Sequence, residues 1–508
     1  MRHPFIHHRP PHPSASRSES YPPLVSSLED NLAVIRTLYA PEKNSDFVVR
    51  SLQIRATGQQ AVLCFFDTIV DAQTLQSEVI QPLLQSHGFT QPQPVQNLIT
   101  AQNLTLAQEM KTIIEGINLG QAALFIDGSL EVILIHATKY DSRSIDKVQN
   151  EMSLKGPKEA FSENLASNIS LVRKKIHHEQ LYAERMSIST RSHNEVILMY
   201  NQSLVNEHIL ERVKDRLRSL DVDAIQNLGL LEQYIEDGTS SVFPTLLYSE
   251  RPDRAASFLE DGHIILLMNN SPDCLILPAT FWSFFHTSED HYLKYLYGNF
   301  TRILRMMSIF LTLFTSAIYI SITNYHSEMI PADLLLAIVS TREKVPLPIF
   351  FEVLLMEFAF ELIREAGLRV PAPIGTTIGI VGALILGQSA VDANIISPIV
   401  IIIVAVSGLS SFAINDISLN FTLRILRFLF IISAGFFGMF GMTLLFMMGL
   451  FYMVTIKSFG VPYLAPMSPH YSSSKDTIFR KKLMQEKLRP GYLKTKDQQK
   501  KAKSKRPS

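Results

Sequence analysis

Between two long apolar stretches the chain carries Pro348-Ile-Phe-Phe-Glu352-Val-Leu-Leu-Met-Glu357-Phe-Ala-Phe-Glu361-Leu-Ile-Arg364-Glu365-Ala-Gly367. An unpaired charge at bilayer depth costs about 2.5–3.5 kcal/mol on insertion scales. Four carboxylates and an arginine in such a place therefore have to face protein or water, not lipid. At about 100° per residue, Glu357, Glu361, Arg364 and Glu365 fall within roughly 100° of arc, and Glu352 lies off that stripe. Arg364 can pair with Glu361 three residues away and be shared with Glu357. One arginine cannot neutralise three carboxylates, so the segment taken alone predicts residual negative charge. Two readings stay open. The stripe is either ion-paired within the bundle or between subunits, or it lines a cation path when several copies assemble. Glu352, Glu357, Glu361, Arg364 and Glu365 are the candidate pore-lining residues.

The flanking runs set the architecture. Residues 300–460 hold several apolar stretches of spanning length. Ile303–Thr323 is the first, with Arg302 and Arg305 before it on the expected cytoplasmic side. The charged helix returns inward and is broken by Pro371 and Pro373. In Ile374–Val391, Gly375, Gly379, Gly382 and Gly387 are spaced for close helix approach, predicting a packed inner helix. Ile396–Ile414 is a further span. Residues 421–458 are apolar for too long to be one helix, and Gly435, Gly438 and Gly441 point to a reversal between two spans, with one tilted helix plus an interfacial one as the alternative. The start of the chain, Met1–Pro10, lacks the apolar core of a signal peptide, so the N-terminal half is expected to be cytoplasmic. From Lys475 to Ser508 there are 13 Lys and Arg against 3 acids, which places the C-terminus on the same side. The number of crossings is then even: six, or four with re-entrant pieces. The basic tail is read as contacting anionic lipid headgroups or as merely solvated, not as binding nucleic acid.

The first 295 residues alternate polar residues with short apolar runs, and 508 residues exceed one core. The expected division is a His/Pro-rich disordered tail with a short helix (1–45), two soluble α/β subdomains (46–150 and 151–297), a multi-span domain (298–460) and a basic tail (461–508). The fold class is an α/β or α+β two-subdomain cytoplasmic region followed by an all-α polytopic membrane domain. Phe47–Ile54, Ala61–Phe66, Ala122–Ile126 and Leu130–Ile135 read as strands, the last two around the hairpin signal Asp127-Gly128. Glu195–Tyr200, the run to Met268 and Cys274–Leu277 supply strands of the second subdomain. Leu104–Leu119, Asn164–Ala183 and Leu204–Leu220 read as helices. The aromatic cluster Phe281–His286 is either a headgroup anchor or the edge of a soluble core. Cys64 and Cys274 are too far apart in sequence and too few for a disulfide framework or metal site, and read as structural thiols.

No phosphate loop, nucleophile elbow, Cys-x-x-Cys or His-Glu-x-x-His is present, so no catalytic residue, cofactor or metal is expected and the chain does not read as an enzyme. Several blocks, in order, carry a resemblance. They are Gly156-Pro-Lys-Glu-Ala-Phe-Ser-Glu163 with Asn168–Ile176; Glu250-Arg-Pro-Asp253 with Glu260-Asp-Gly-His263, Ser271-Pro272 and Pro278; and Thr323-Asn-Tyr-His326, Arg342-Glu-Lys-Val-Pro346 and Phe360–Pro371. Over roughly residues 45–470 the chain resembles the A subunit of the nutrient germinant receptors of bacterial spores. The resemblance marks Arg251, Pro252, Asp253 and Gly262 as a membrane-proximal motif. It implies a subunit in the spore's inner membrane, partnered by a transporter-like B subunit and a lipoprotein C subunit. Self-association into a nutrient-gated cation channel is also implied, with a non-conducting scaffold as the alternative. The related stage V sporulation protein AF shares the fold, but the Arg342 and Phe360 blocks favour the receptor subunit.

Overall fold

The computed structural model describes residues 21–85, 95–140, 148, 150–369, 387–471 and 477–500. The tail before residue 21, and Gly375, Gly379 and Gly382, lie outside the described residues. The chain divides into two compact units, one built mainly from residues 46–139 with the helix before them, the other from 140–176 and 180–508.

In the first unit, α1 (Leu28–Tyr39) is capped by Ser27, whose side chain accepts from the Asp30 N–H. Strands β1 (Phe47–Gln53) and β2 (Gln60–Phe66) lead to the helical stretch α2 (Ala72–Thr74), a π-helical Leu75–Ile80 and α3 (Gln81–Gln85). Then come β3 (Leu104–Ala107), α4 (Met110–Asn118), β4 (Ala122–Ile126) and β5 (Val132–Ile135). The sheet order is β1-β2-β4-β5-β3, antiparallel throughout. Alternation along β2 serves both faces. Ala61, Leu63 and Phe65 pack with Leu75, Val79 and Leu83, while Phe66 meets Tyr39 edge-on with centroids 5.6 Å apart.

The second unit begins with α5 (Leu165–Arg173), β6 (Leu181–Ser187) and β7 (Glu195–Asn201). It continues through α6 (Glu207–Arg218), α7 (Leu228–Ile235), β8 (Leu247–Ser249), α8 (Pro252–Glu260), β9 (Ile264–Met268) and β10 (Cys274–Leu277). Its sheet order, β6-β7-β9-β10-β8, repeats the first sheet strand for strand. Both sheets close on an antiparallel hairpin flanked by an edge strand that arrives from between two helices, so the soluble half is the same ββαβαββ plan used twice. The antiparallel ladders settle the class as α+β in each subdomain.

Two expected helices include part of a strand. Leu104–Leu119 divides into β3 and α4, because Leu104–Ala107 takes the vacant edge beside β5. Asn164–Ala183 divides into α5, capped by Asn164, and β6, which pairs with β7 along its full length. In both cases edge pairing outweighs helix propensity.

The rest of the second unit is helical: α9 (Phe281–Phe285), α10 (Glu289–Tyr292), α11 (Tyr295–Tyr325), α12 (Ala332–Arg342), α13 (Ile349–Arg369), α14 (Pro398–Ser411) and α15 (Ile417–Thr455). Among the described residues two helices, α11 and α15, are long and apolar enough to cross a membrane. The latter is two arms. Thr422 Oγ1 donates to the Val242 carbonyl at 2.6 Å, and the Tyr452 ring lies 6.2 Å from Phe243. Thirty residues of straight helix would separate those ends by about 45 Å. The reversal falls at Gly438, with φ 61° and ψ −145°, a backbone region closed to residues with a Cβ. Tyr325, at the far end of α11, donates to the Gly435 carbonyl at 2.7 Å and so closes the tip. The expected pair of spans with a glycine turn is thus present.

Candidate functional site

The charged helix α13 is packed against its own chain on three sides. Glu352 is fully buried; Arg342 donates to its Oε1 at 2.9 Å and the Ser397 N–H to its Oε2 at 3.0 Å. Glu357 is also fully buried. Ser316 of α11 donates to it at 2.6 Å, and Arg427 of the first α15 arm lies 3.1 Å from its other oxygen. Glu361 accepts from Arg427 at 2.5 Å and from Arg424 Nε at 2.8 Å, with Arg364 3.7 Å away. Arg364 turns to α14, donating to the Gly408 carbonyl at 3.2 Å and Ser411 Oγ at 2.6 Å, its guanidinium stacked over Phe412. Glu365 pairs with Arg369 at 2.7 Å on the exposed end of the helix.

The residual charge expected from the segment alone is therefore absent. Arg342, Arg424 and Arg427 join Arg364 and Arg369, so five arginines face four carboxylates. The stripe of Glu357 and Glu361 points at α15 of the same chain. Arg424 and Arg427 were hidden inside an apolar run. Their three-residue spacing, complementary to the four-residue spacing of Glu357 and Glu361, is the signal that finds them.

Close approach supports the network. A Cβ at Gly408 would stand 2.5 Å from the Phe360 ring, so the ring of α13 packs directly on the backbone of α14 there. Gly387 is in ordinary contact only, its nearest neighbour Ile401 Cδ1 at 3.8 Å. The contacts of Glu352 with Ser397 and of Arg364 with Ser411 make α13 and α14 a parallel pair.

A second charged cluster ties the soluble sheet to α11. Asp290, 1 % exposed, accepts from Arg302 at 2.9 Å and from both terminal nitrogens of Arg305 at 3.2 Å. Burial alone would raise the carboxyl's pKa; Arg305, then Arg302, overcome this and hold it at about 2. Arg302 and Arg305 are thus buried ion-pair partners at the foot of the first span, in addition to marking its flank.

The membrane-proximal motif is a clasp beside it. Arg251 caps α8 ahead of Pro252 at its first turn. Its guanidinium pairs with Asp253 at 3.0 Å, and donates to Ser153 Oγ at 2.7 Å and the Pro157 carbonyl at 3.1 Å. Tyr292 donates to Asp253 at 2.5 Å. Gly262 has φ 95°, and a Cβ there would sit 2.5 Å from Thr495. For residues 477–500 that contact corrects the reading of a merely solvated tail. Residues 477–500 pack on the second subdomain: Arg489 donates to the Glu260 carbonyl at 2.9 Å, Lys500 to Asp261 at 3.0 Å, and Tyr492 and Leu493 are buried. The aromatic cluster likewise resolves as core, with Phe284 and Phe285 each 2 % exposed.

The sequence profile of the Bacillus/Clostridium GerA spore germination protein family matches residues 35–492. The chain belongs to the GerA family. It is 35% identical to spore germination protein KA of Bacillus subtilis over 96% of this chain and 90% of that one. It is 32% identical to spore germination protein GerLA of Bacillus cereus over 92% and 97% of the two chains. The N-terminal domain of the A subunit of the Bacillus megaterium spore germinant receptor GerK3 matches at 28% identity and a TM-score of 0.41, covering 52% of this chain and 98% of that structure.

Proposed function

We propose that the chain is the A-type membrane subunit of a nutrient germinant receptor, acting in the spore's inner membrane with a transporter-like B subunit and a lipoprotein C subunit. An even number of crossings, six or four with re-entrant pieces, is compatible with α11, α13, α14 and the two arms of α15. Both termini then lie on the spore-core side.

The observation that carries the mechanistic reading is the pairing of Glu357 and Glu361 with Arg427 and Arg424. It favours α13 as an ion-paired switch element that holds the bundle in one register. Buried ion pairs are costly to form and contribute specificity more than stability, which suits an element that has to sit in one of two discrete arrangements. A nutrient-gated cation path in a homo-oligomer is the second reading, favoured by the stacking of carboxylates along one helix face. In it, Arg424 and Arg427 would have to leave those carboxylates before ions could use them.

The test is potassium release from nutrient-triggered spores carrying Glu357→Gln with Glu361→Gln, with receptor assembly measured in parallel. The switch reading expects altered nutrient sensitivity with ion selectivity unchanged. Loss of potassium release with intact assembly and unchanged nutrient binding would favour the cation path.

A further inference from the structure

A cavity of about 320 Å³ lies in the second unit, between α11, both arms of α15 and α9. Its walls are apolar side chains, among them Leu313, Phe314, Leu423, Phe430 and Phe446. The polar exception is Trp282, which lines the cavity, is 8 % exposed, and whose buried Nε1 has no hydrogen-bond partner among the described residues. Gly449 is part of the lining, and a Cβ there would meet nothing within 4 Å. Phe310 and Leu450, also in the lining, are 52% and 38% exposed, so the cavity borders the outer surface of the bundle.

Depth identifies the occupant. The lining on α11 starts at Met306, about one helical turn beyond the buried Arg302. Arg302 is buried against Asp290 at the soluble-domain end of α11, and the cavity opens where the apolar part of that helix begins. An apolar space of this size stays dry, and left empty it forfeits dispersion contacts along its whole lining. Hydrocarbon chains are the filler that surrounds a spanning bundle at that depth. A volume of this order takes roughly ten methylene groups at interior packing density. The Trp282 ring contributes its apolar surface to the wall, while its buried Nε1 presents no surface to the cavity.

We propose that this cavity is a lipid site, holding one acyl chain of a bilayer phospholipid. The inference rests on the membrane placement of α11 and α15, and is independent of whether α13 conducts ions.

Trp282 is the chain's single tryptophan, so its fluorescence reports the site without labelling. The full chain is placed in nanodiscs of phosphatidylcholine and phosphatidylglycerol, with and without bromine on the acyl chains, beside Gly449→Phe and the milder Gly449→Leu, which fill the cavity. Brominated lipid is expected to quench the wild-type emission severalfold, and each filling variant to lose at least half of that quenching while keeping the wild-type melting temperature. After transfer to detergent, native mass spectrometry is expected to show one retained phospholipid on wild type and none on Gly449→Phe. Equal quenching in wild type and folded variants would mean that Trp282 reads bulk lipid, and would overturn the site. Retention of free bromododecanoic acid with no phospholipid under any condition would make this a small-molecule pocket and overturn it also. Shielding that is lost when an oligomer dissociates would assign the cavity to a second copy and refute the lipid.

Discussion

Replacing Arg427 with Met isolates the interaction on which the reading of α13 depends. Arg427 is fully buried and reaches Glu357 at 3.1 Å, Glu361 at 2.5 Å and Ser407 at 3.2 Å. Without it, Glu361 keeps Arg424 and the more distant Arg364. Glu357, with no exposed surface, keeps only hydroxyl contacts, from Ser316 and Ser407. Removing one partner of a buried pair costs about 3–5 kcal/mol, chiefly through the charge left behind. Glu357→Gln alone leaves Arg427 still bound to Glu361 and is expected to cost about 1–2 kcal/mol. The double variant strands neither charge, so it is expected to be more stable than Arg427→Met by about 1 kcal/mol, and the coupling, which adds the cost of Glu357→Gln, to be about 2–3 kcal/mol, as for residues in direct contact. The assay is denaturant unfolding of the purified full chain in detergent, for wild type, the two single variants and the double. A coupling within 0.3 kcal/mol of zero would refute the pairing. Glu357 would then face water or a neighbouring subunit, and the cation-path reading would gain the ground the switch reading lost.

Three further outcomes are expected. Asp290 has a folded pKa near 2 against an ordinary 3.8, so its pairing is complete above about pH 4 and is lost as pH falls through 2; Asp290→Asn is expected to be less stable than wild type at pH 7, with the difference closing across that window in acid-unfolding curves. Gly438→Ala forces a Cβ into the reversal of α15 and against Tyr325, and is expected to cost about 1–3 kcal/mol in the same unfolding assay. Deleting residues 477–508 removes buried Tyr492 and Leu493, worth on the order of 3 kcal/mol together, and should lower the melting temperature even in lipid-free detergent, where a merely lipid-bound tail would make no difference.

Much of the soluble half was legible because its strands announce themselves. The Asp127-Gly128 turn and the runs on either side are local signals, and β4 and β5 fall where those signals put them. What escaped was set by distant partners. Leu104–Ala107 is a strand only because β5 offers it an edge, and Leu181–Ser187 only because β7 does. The repetition of one strand order in both sheets was invisible for the same reason, since the two halves share topology without an obvious shared pattern of residues. In the membrane region, carboxylates stood out against apolar neighbours and located α13. Their neutralisation could not be read from the segment, because Arg424 and Arg427 come from some 60 residues downstream and were masked by the apolar run around them.

That masking bears on how such a receptor can switch. A bundle held by leucines alone can slide through a continuum of near-equal packings, whereas an arginine shared between Glu357 and Glu361 has few positions that leave no charge stranded. The contacts of α13 with Ser316 on α11, Arg427 on α15 and, through Arg364, Ser411 on α14 fix four helices at one register. At the foot of α11, Asp290 holds Arg302 and Arg305 against the second soluble subdomain. α11 thus carries the Asp290 cluster at one end and, through Ser316, a contact with buried Glu357 of α13. A stimulus that breaks one pair strands several charges unless the others move with it, and that is the physical requirement for a two-position element rather than a graded one.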